Sequence, residues 1–211
     1  MVRDIKLNKG LYAITPQQND TDVLLQQVEQ ALLGGIALLQ YRDKSSSPDI
    51  KRSRANALRK LCTKYQAPLI INDDAELALT CHADGVHLGQ SDGSIQQARQ
   101  LLGAQAIIGV TCHHHLKFAA QAEKEGADYV AFGRFFASNT KPGEALATTD
   151  LLLGAKRQTT LPIVAIGGIT LSNAPPLINA GADYLAVIEN IFVQKSIRSY
   201  CQQFSSLFQQ T

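Results

Sequence analysis

The chain has 211 residues, 45% hydrophobic and 18% charged, and 20 basic against 18 acidic residues leave a net charge of +2. This apolar fraction and near-neutral balance exclude a disordered chain and argue against bulk nucleic-acid binding, which needs a clustered basic surface. No stretch approaches the roughly 18 apolar residues of a membrane span, and Met1 to Gly10 carry no apolar signal-peptide core.

Read from the N-terminus, one pattern repeats: a short apolar run, a polar turn, then a segment of helical periodicity. The predicted strands are Leu11–Thr15, Ile36–Arg42, Pro68–Asn72, Gly85–Leu88, Ile107–Thr111, Tyr129–Gly133, Ile163–Ile166 and Tyr184–Ile188. Most are continuous apolar runs, as parallel strands under a helical cover are. Between them, Asp22–Leu33 spaces Val23, Leu24, Gln27, Val28, Ala31 and Leu32 as a helix face. Asp49–Tyr65 is basic, with an apolar stripe through Ile50, Ala57, Leu58 and Leu61, and Leu116–Glu125 stops at Gly126. Gly-Ala-Asp-Tyr occurs at 126–129 and again at 181–184. Shared chemistry of helix-to-strand loops explains that echo most simply, with a duplicated half-barrel as the alternative.

Strict alternation over eight strands, with no linker, predicts an α/β fold, a single-domain (β/α)8 TIM barrel over residues 1–211. A doubly wound open sheet of six strands would leave two good strands unused. The longest loop, from Arg134 to about Thr149, is polar and reads as a lid or binding loop. Cys62, Cys81, Cys112 and Cys201 form no CxxC and suit a reducing compartment, so a cytoplasmic location is expected.

A barrel of this kind carries its active site at the C-terminal ends of its strands. There the chain places Gln40-Tyr41-Arg42-Asp43-Lys44, Asn72-Asp73-Asp74, Gln90-Ser91-Asp92, Thr111-Cys112-His113, Ser138-Asn139-Thr140-Lys141 and Gly167-Gly168. Arg42, Lys44 and Lys141 are cations from separate turns, and Asp73 and Asp92 could share a divalent ion. Gly167-Gly168 lets backbone N–H groups approach an anion. Carboxylates and cations at one mouth point to a phosphorylated substrate, a diphosphate with Mg2+, because this hard ion takes few carboxylates and completes its shell with water and phosphate. Each feature also has a plainer reading. The glycine pair can be a tight turn, Asp74 a helix cap, and Arg42 with Asp43 a surface ion pair. His113-His114-His115 point in different directions and read as the start of a helix rather than a metal site; His82 and His87 read as structural.

Taken together, Gly10–Thr15, Leu39–Lys44, Leu69–Asp74, Asp84–Gln90 with Asp92, Ile108–His113, Thr140-Lys141 and Ile163–Ile169 resemble the thiamine-phosphate synthase (thiamine-phosphate pyrophosphorylase) family over essentially the whole chain. The resemblance implies a (β/α)8 barrel that joins hydroxymethylpyrimidine diphosphate to a thiazole phosphate, releasing diphosphate. It implies that Gln40, Tyr41, Arg42, Asp43, Lys44, Asn72, Thr111 and Lys141 bind the pyrimidine diphosphate. Asp73 and Asp92 would hold one Mg2+. Ser138, Asn139, Thr140, Gly168 and the backbone of Ile188 and Glu189 would hold the thiazole phosphate. Arg42, Lys44 and Lys141 would carry the catalytic burden by stabilising the leaving group, and no protein nucleophile is required. Three departures stand out: Thr111 where Ser is usual, Arg134 and Ala137 in a loop usually richer in Pro and Thr, and Glu189 where Ser is common. Small molecules are the expected partners, with neither nucleic acid nor membrane, and a homo-oligomer is left open. A thiazole tautomerase of the same barrel family and a non-catalytic phosphate-ligand binder are the alternatives. The tautomerase needs no diphosphate and can dispense with the carboxylates and part of the cation cluster present here.

Overall fold

The computed structural model describes residues 8–137 and 147–209. Its strands are β1 (Gly10–Ile14), β2 (Leu38–Tyr41), β3 (Leu69–Asn72), β4 (Gly85–Leu88), β5 (Ile107–His113), β6 (Tyr129–Gly133), β7 (Ile163–Ile166) and β8 (Tyr184–Val187). They pair in parallel in chain order, and β8 closes on β1. The expected (β/α)8 TIM barrel is therefore the observed fold. The helices are α1 (Thr21–Leu33), α2 (Pro48–Tyr65), α3 (Ala75–Thr80), α4 (Ile95–Leu102), α5 (Leu116–Glu125), α6 (Thr149–Gln158), α7 (Pro175–Asn179), α8 (Glu189–Phe192) and α9 (Ile197–Leu207). Side-chain oxygens of Asp20, Ser47, Asp74 and Ser94 accept first-turn amides of α1, α2, α3 and α4, satisfying donors that the helix itself cannot. Asp74 is thus the cap that its place before Ala75 suggested.

Alternate residues of each strand face opposite ways. Leu11, Ala13, Leu39, Leu69, Ile71, Val86 and Val130 face the helices, whereas Tyr12, Ile14, Leu38, Ile70, Ile107, Tyr129, Val164 and Tyr184 fill the barrel lumen. Glycine makes the lumen packing possible at one place. A Cβ on Gly109 would lie 1.8 Å from Tyr129 Cζ, so the bare backbone of β5 is what lets that ring cross the barrel.

Two differences from the sequence reading have local causes. Strand β2 ends at Tyr41 because the Arg42 amide leaves the ladder and donates to Thr15 Oγ1 at 2.8 Å. Helix α2 buries Arg54, Ala55, Leu58 and Cys62, whereas Ile50 is 45% exposed. The inward face differs from the apolar stripe because it contains an arginine.

The echoed loop sequence has a clear task at the N-terminal end of the barrel. Asp84, Asp128 and Asp183 precede β4, β6 and β8. Their amides donate to the carbonyls of Leu69, Ile108 and Ile163 at 2.9, 2.7 and 2.8 Å. Their carboxylates accept the amides of the same three residues at 2.7, 2.7 and 2.9 Å. Each carboxylate also holds a cation from an even-numbered helix: Arg59 of α2, Arg99 of α4 at 2.7 Å, and Lys156 of α6 at 2.6 Å. The repeat is shared loop chemistry, and it extends to a third loop with the sequence Ala83-Asp84.

Burial alone would raise the Asp183 carboxyl, but Lys156, the Ile163 amide and Lys9 outweigh it and hold the group below its ordinary range. A depressed folded value makes this contribution complete above the unfolded value of about 4 and lost as pH falls through the folded one. Asp183→Asn should therefore destabilise the protein by about 1–3 kcal/mol at neutral pH. Urea unfolding should show the gap to wild type closing under acid conditions; a gap independent of pH would contradict the assignment.

Candidate active site at the C-terminal rim

The inward-facing positions at the upper ends of β2 to β5 are Gln40, Asn72, His87 and Thr111, in register with the lumen residues below them. Above them, the loops after β2, β3 and β4 supply charge. Lys44 Nζ pairs with the Asp73 carboxylate, bridging the first two loops. Asp73 adopts a left-handed backbone (φ 65°), and its amide donates to the carbonyl of His87 at 2.8 Å, which anchors it to the neighbouring strand. Asp92 accepts the Gly89 amide at 2.9 Å, and a Cβ on Gly89 would lie 2.5 Å from that carboxylate. The bare backbone at Gly89 thus gives the Asp92 carboxylate room to approach.

The loop bearing Arg42 and Lys44 is fixed from below. Asp43 forms an ion pair with Arg54 at 3.0 Å, both side chains only 3% exposed. Arg54 also donates to Thr21 Oγ1 and to the carbonyls of Gln18 and Asn19, at 3.0, 2.8 and 2.7 Å. The other Asp43 oxygen accepts the amides of Ser45 and Ser46 and the Gln17 amide group. Burial would raise the Asp43 carboxyl, yet the hydrogen bonds from Ser46, Gln17 and Ser45 prevail and hold it well below its usual range. Tyr41 faces the helix layer and donates to Asp43 at 3.1 Å. Tyr41 and Asp43 therefore support the loop from inside. The Arg42 backbone is held at both ends by Thr15 Oγ1, while its guanidinium has no protein partner among the described residues.

On the opposite side of the mouth, Gly167 and Gly168 have φ of 109° and 63°. Cβ atoms there would meet Arg134 Cβ at 2.2 Å and the Ala137 carbonyl at 2.4 Å. The amides of Phe135 and Phe136 donate to Ile166 and Gly167 carbonyls at 3.2 and 3.1 Å. The glycine pair accordingly seats the first part of the long loop against β7. Asn190 Nδ2 donates to the Ile169 carbonyl at 2.9 Å, joining this turn to α8, whose first residues follow Ile188. Glu189 is exposed at the start of α8. Ser138, Asn139, Thr140 and Lys141 lie outside the described residues.

Sequence reasoning missed the polar contents of the lumen. Gln40 Nε2 donates to Tyr12 Oη at 2.9 Å, and the Tyr12 and Tyr129 hydroxyls are 2.8 Å apart. Tyr129 Oη lies 2.9 Å from His87 Nδ1, and His87 Nε2 lies 2.8 Å from Thr111 Oγ1. Burial pushes His87 down to about 4 and both tyrosines well above their ordinary range, so all three stay uncharged at neutral pH. The signal was the strand period: Tyr12, Gln40, His87, Thr111 and Tyr129 all fall on inward positions.

Other expectations resolve simply. The three histidines do not all begin the helix: His113 ends β5, and only His115 is the residue immediately before α5, its ring 4.1 Å from that of His114. His82 sits exposed in a turn. All four cysteines are buried and unpaired, and burial pushes the Cys62, Cys112 and Cys201 thiols up to about 12. Among the described residues no helix is long and apolar enough to cross a membrane.

A closed parallel barrel whose cations and carboxylates meet at the C-terminal rim defines a TIM-barrel enzyme with a charged mouth. Residues 11–191 match the family model for thiamine monophosphate synthase. The chain belongs to that family, and with it to the transferases of thiamine biosynthesis. It is 48% identical over 199 residues to thiamine-phosphate synthase of Thiobacillus denitrificans, covering 94% of each chain. Thiamine phosphate pyrophosphorylase from Pyrococcus furiosus superposes with a TM-score of 0.84 at 30% identity, over 97% of this chain and 96% of that one. The Bacteroides thetaiotaomicron thiamine phosphate pyrophosphorylase, at 14% identity and TM-score 0.71 over 95% of this chain and 98% of that one, shares the fold.

Proposed function

We propose that the enzyme couples hydroxymethylpyrimidine diphosphate to a thiazole phosphate, giving thiamine phosphate and inorganic diphosphate. The C–O bond to diphosphate breaks with its electron pair leaving on oxygen, and the thiazole nitrogen lone pair forms the new C–N bond. The observation that carries this reading is the Lys44–Asp73 bridge, on loops that neighbour the one bearing Asp92, with an Arg42 guanidinium that has no partner among the described residues, at the strand ends that bear Gln40, Asn72 and Thr111. A substrate lacking a diphosphate would have no use for so much charge on one rim, which favours the synthase over a tautomerase.

Charge separation at the breaking bond is the main barrier, and positioned cations lower it most in a water-poor site. Arg42, Lys44 and Lys141 bind the diphosphate and take up its growing negative charge. Thr111 donates to it, while Gln40 and Asn72 orient the pyrimidine ring. Ser138, Asn139 and Thr140, with the amides of Gly168, Ile188 and Glu189, hold the thiazole phosphate beside the start of α8, where barrels of this type commonly bind phosphate. Exposure of the Glu189 side chain is compatible with contact through its backbone alone.

Asp73 and Asp92 fit a Mg2+ ion by their chemistry: both are hard oxygen donors on the loops after the adjacent strands β3 and β4, and this ion takes one or two carboxylates and completes its shell with water and phosphate. When bound, the ion would neutralise charge on the diphosphate. Four buried, unpaired thiols suit a reducing compartment, and we place the reaction in the cytoplasm.

Incubation with both substrates and Mg2+, followed by chromatography, should yield thiamine phosphate and diphosphate in equal amounts. Isomerised thiazole phosphate without coupling would support the tautomerase. Binding of either substrate without any turnover would support the binder.

A further inference from the structure

We propose that the hydrogen-bonded chain in the lumen sets the proton direction at Thr111: His87 is a positioning residue whose Nε2–H donates to the Thr111 hydroxyl and leaves that hydroxyl's own proton for the pyrimidine diphosphate. This inference rests on the function proposed above.

Each hydroxyl in the chain has one proton, so the direction chosen at one end propagates to the other. Gln40 Nε2 donates to Tyr12 Oη, so the Tyr12 proton is directed to Tyr129, 2.8 Å away. Tyr129 in turn donates to His87 Nδ1 at 2.9 Å. A neutral imidazole that accepts at Nδ1 carries its proton on Nε2, which faces Thr111 Oγ1 at 2.8 Å. Thr111 then has one proton and one lone pair left at the half-buried rim. The reverse direction would need a turned Gln40 amide, a proton on Nδ1, and the Thr111 proton directed into the barrel. Only the first direction serves an acceptor-only diphosphate, because the second presents it with lone pairs. The same direction leaves the Gln40 carbonyl oxygen as an acceptor, suited to the exocyclic amino group of the pyrimidine.

Two features hold the device in place. His87 is 8% exposed and stacked on Tyr129, with ring centroids 5.5 Å apart. Glycine at 109 leaves room for the Tyr129 ring that relays the direction.

The first test uses wild-type protein labelled with nitrogen-15, with the His87 ring signals assigned by their loss in His87→Gln. The expected spectrum is a neutral ring protonated on Nε2 at neutral pH. A proton on Nδ1, or on both nitrogens, at neutral pH overturns the proposal, and this outcome does not depend on turnover. The second test is kinetic. Tyr129→Phe should lower kcat/KM for the pyrimidine diphosphate about tenfold, the equivalent of one hydrogen bond, with the KM for thiazole phosphate unchanged. The same change in a Thr111→Ala background should add almost nothing, whereas in a Thr111→Ser background, which keeps the hydroxyl, it should again cost about tenfold. Equal fractional losses in both backgrounds would show that Tyr129 acts only through packing and would overturn the proposal. If Tyr129→Phe fails to fold, the wild-type spectrum alone decides. A wild-type enzyme that makes no thiamine phosphate would remove the functional reading while leaving the ring assignment to stand or fall by itself.

Discussion

Asp92→Asn should lower turnover with the pyrimidine diphosphate by about 10²–10³-fold, the usual loss when a preorganised charge-stabilising group is removed. Asparagine is the informative replacement. Its carbonyl oxygen still accepts the Gly89 amide, now bonded to Asp92 at 2.9 Å, so the loop after β4 keeps its shape while the charge is gone. Thiazole phosphate affinity, read by calorimetry, should stay within about twofold. Calorimetric titration with Mg2+ and a non-hydrolysable diphosphate should show weaker metal uptake than wild type. Equal losses for both substrates would mean that Asp92 shapes the mouth generally and holds no metal.

Arg54→Met should destabilise the protein by about 3–5 kcal/mol, because it leaves the buried Asp43 carboxylate without its cation. The side chain connects α2 to the Gln18 and Asn19 carbonyls, to Thr21 and to the loop after β2. The loss is therefore structural first and catalytic second. Urea unfolding should give the lower midpoint directly, and the surviving folded fraction should bind pyrimidine diphosphate more weakly, since Arg42 and Lys44 ride on the released loop. A variant as stable as wild type would show that the Arg54–Asp43 pair carries no net weight. Arg54→Lys restores the charge but not the branched geometry, and should recover only part of the loss.

The barrel was legible because each strand is a compact apolar run bounded by turn residues, and parallel strands buried on both faces leave just that trace. Gly85–Leu88, Tyr129–Gly133 and Ile163–Ile166 coincide with observed strands for this reason. Charged residues at strand ends were legible too, because the topology alone brings those ends together; Lys44 meeting Asp73 follows from adjacency of β2 and β3. Arg54 was not legible. On a helix crowded with Arg and Lys, nothing in spacing distinguishes the one cation that turns inward to a carboxylate eleven residues back. Tyr41 looked like a mouth residue by proximity to Arg42, but the two-residue period of the strand turns it to the helix layer while Gln40 faces the lumen. The lumen chain escaped notice for a related reason: its members come from five strands, and no short stretch of sequence contains two of them.

The aspartate clips before β4, β6 and β8 have a consequence for how this scaffold can change. They anchor the closed cylinder from the end opposite the candidate active site, using three loops that carry none of the residues assigned to it. Remodelling of the upper loops, by natural drift or by grafting, can then proceed on a foundation whose integrity does not depend on what the new loops recognise.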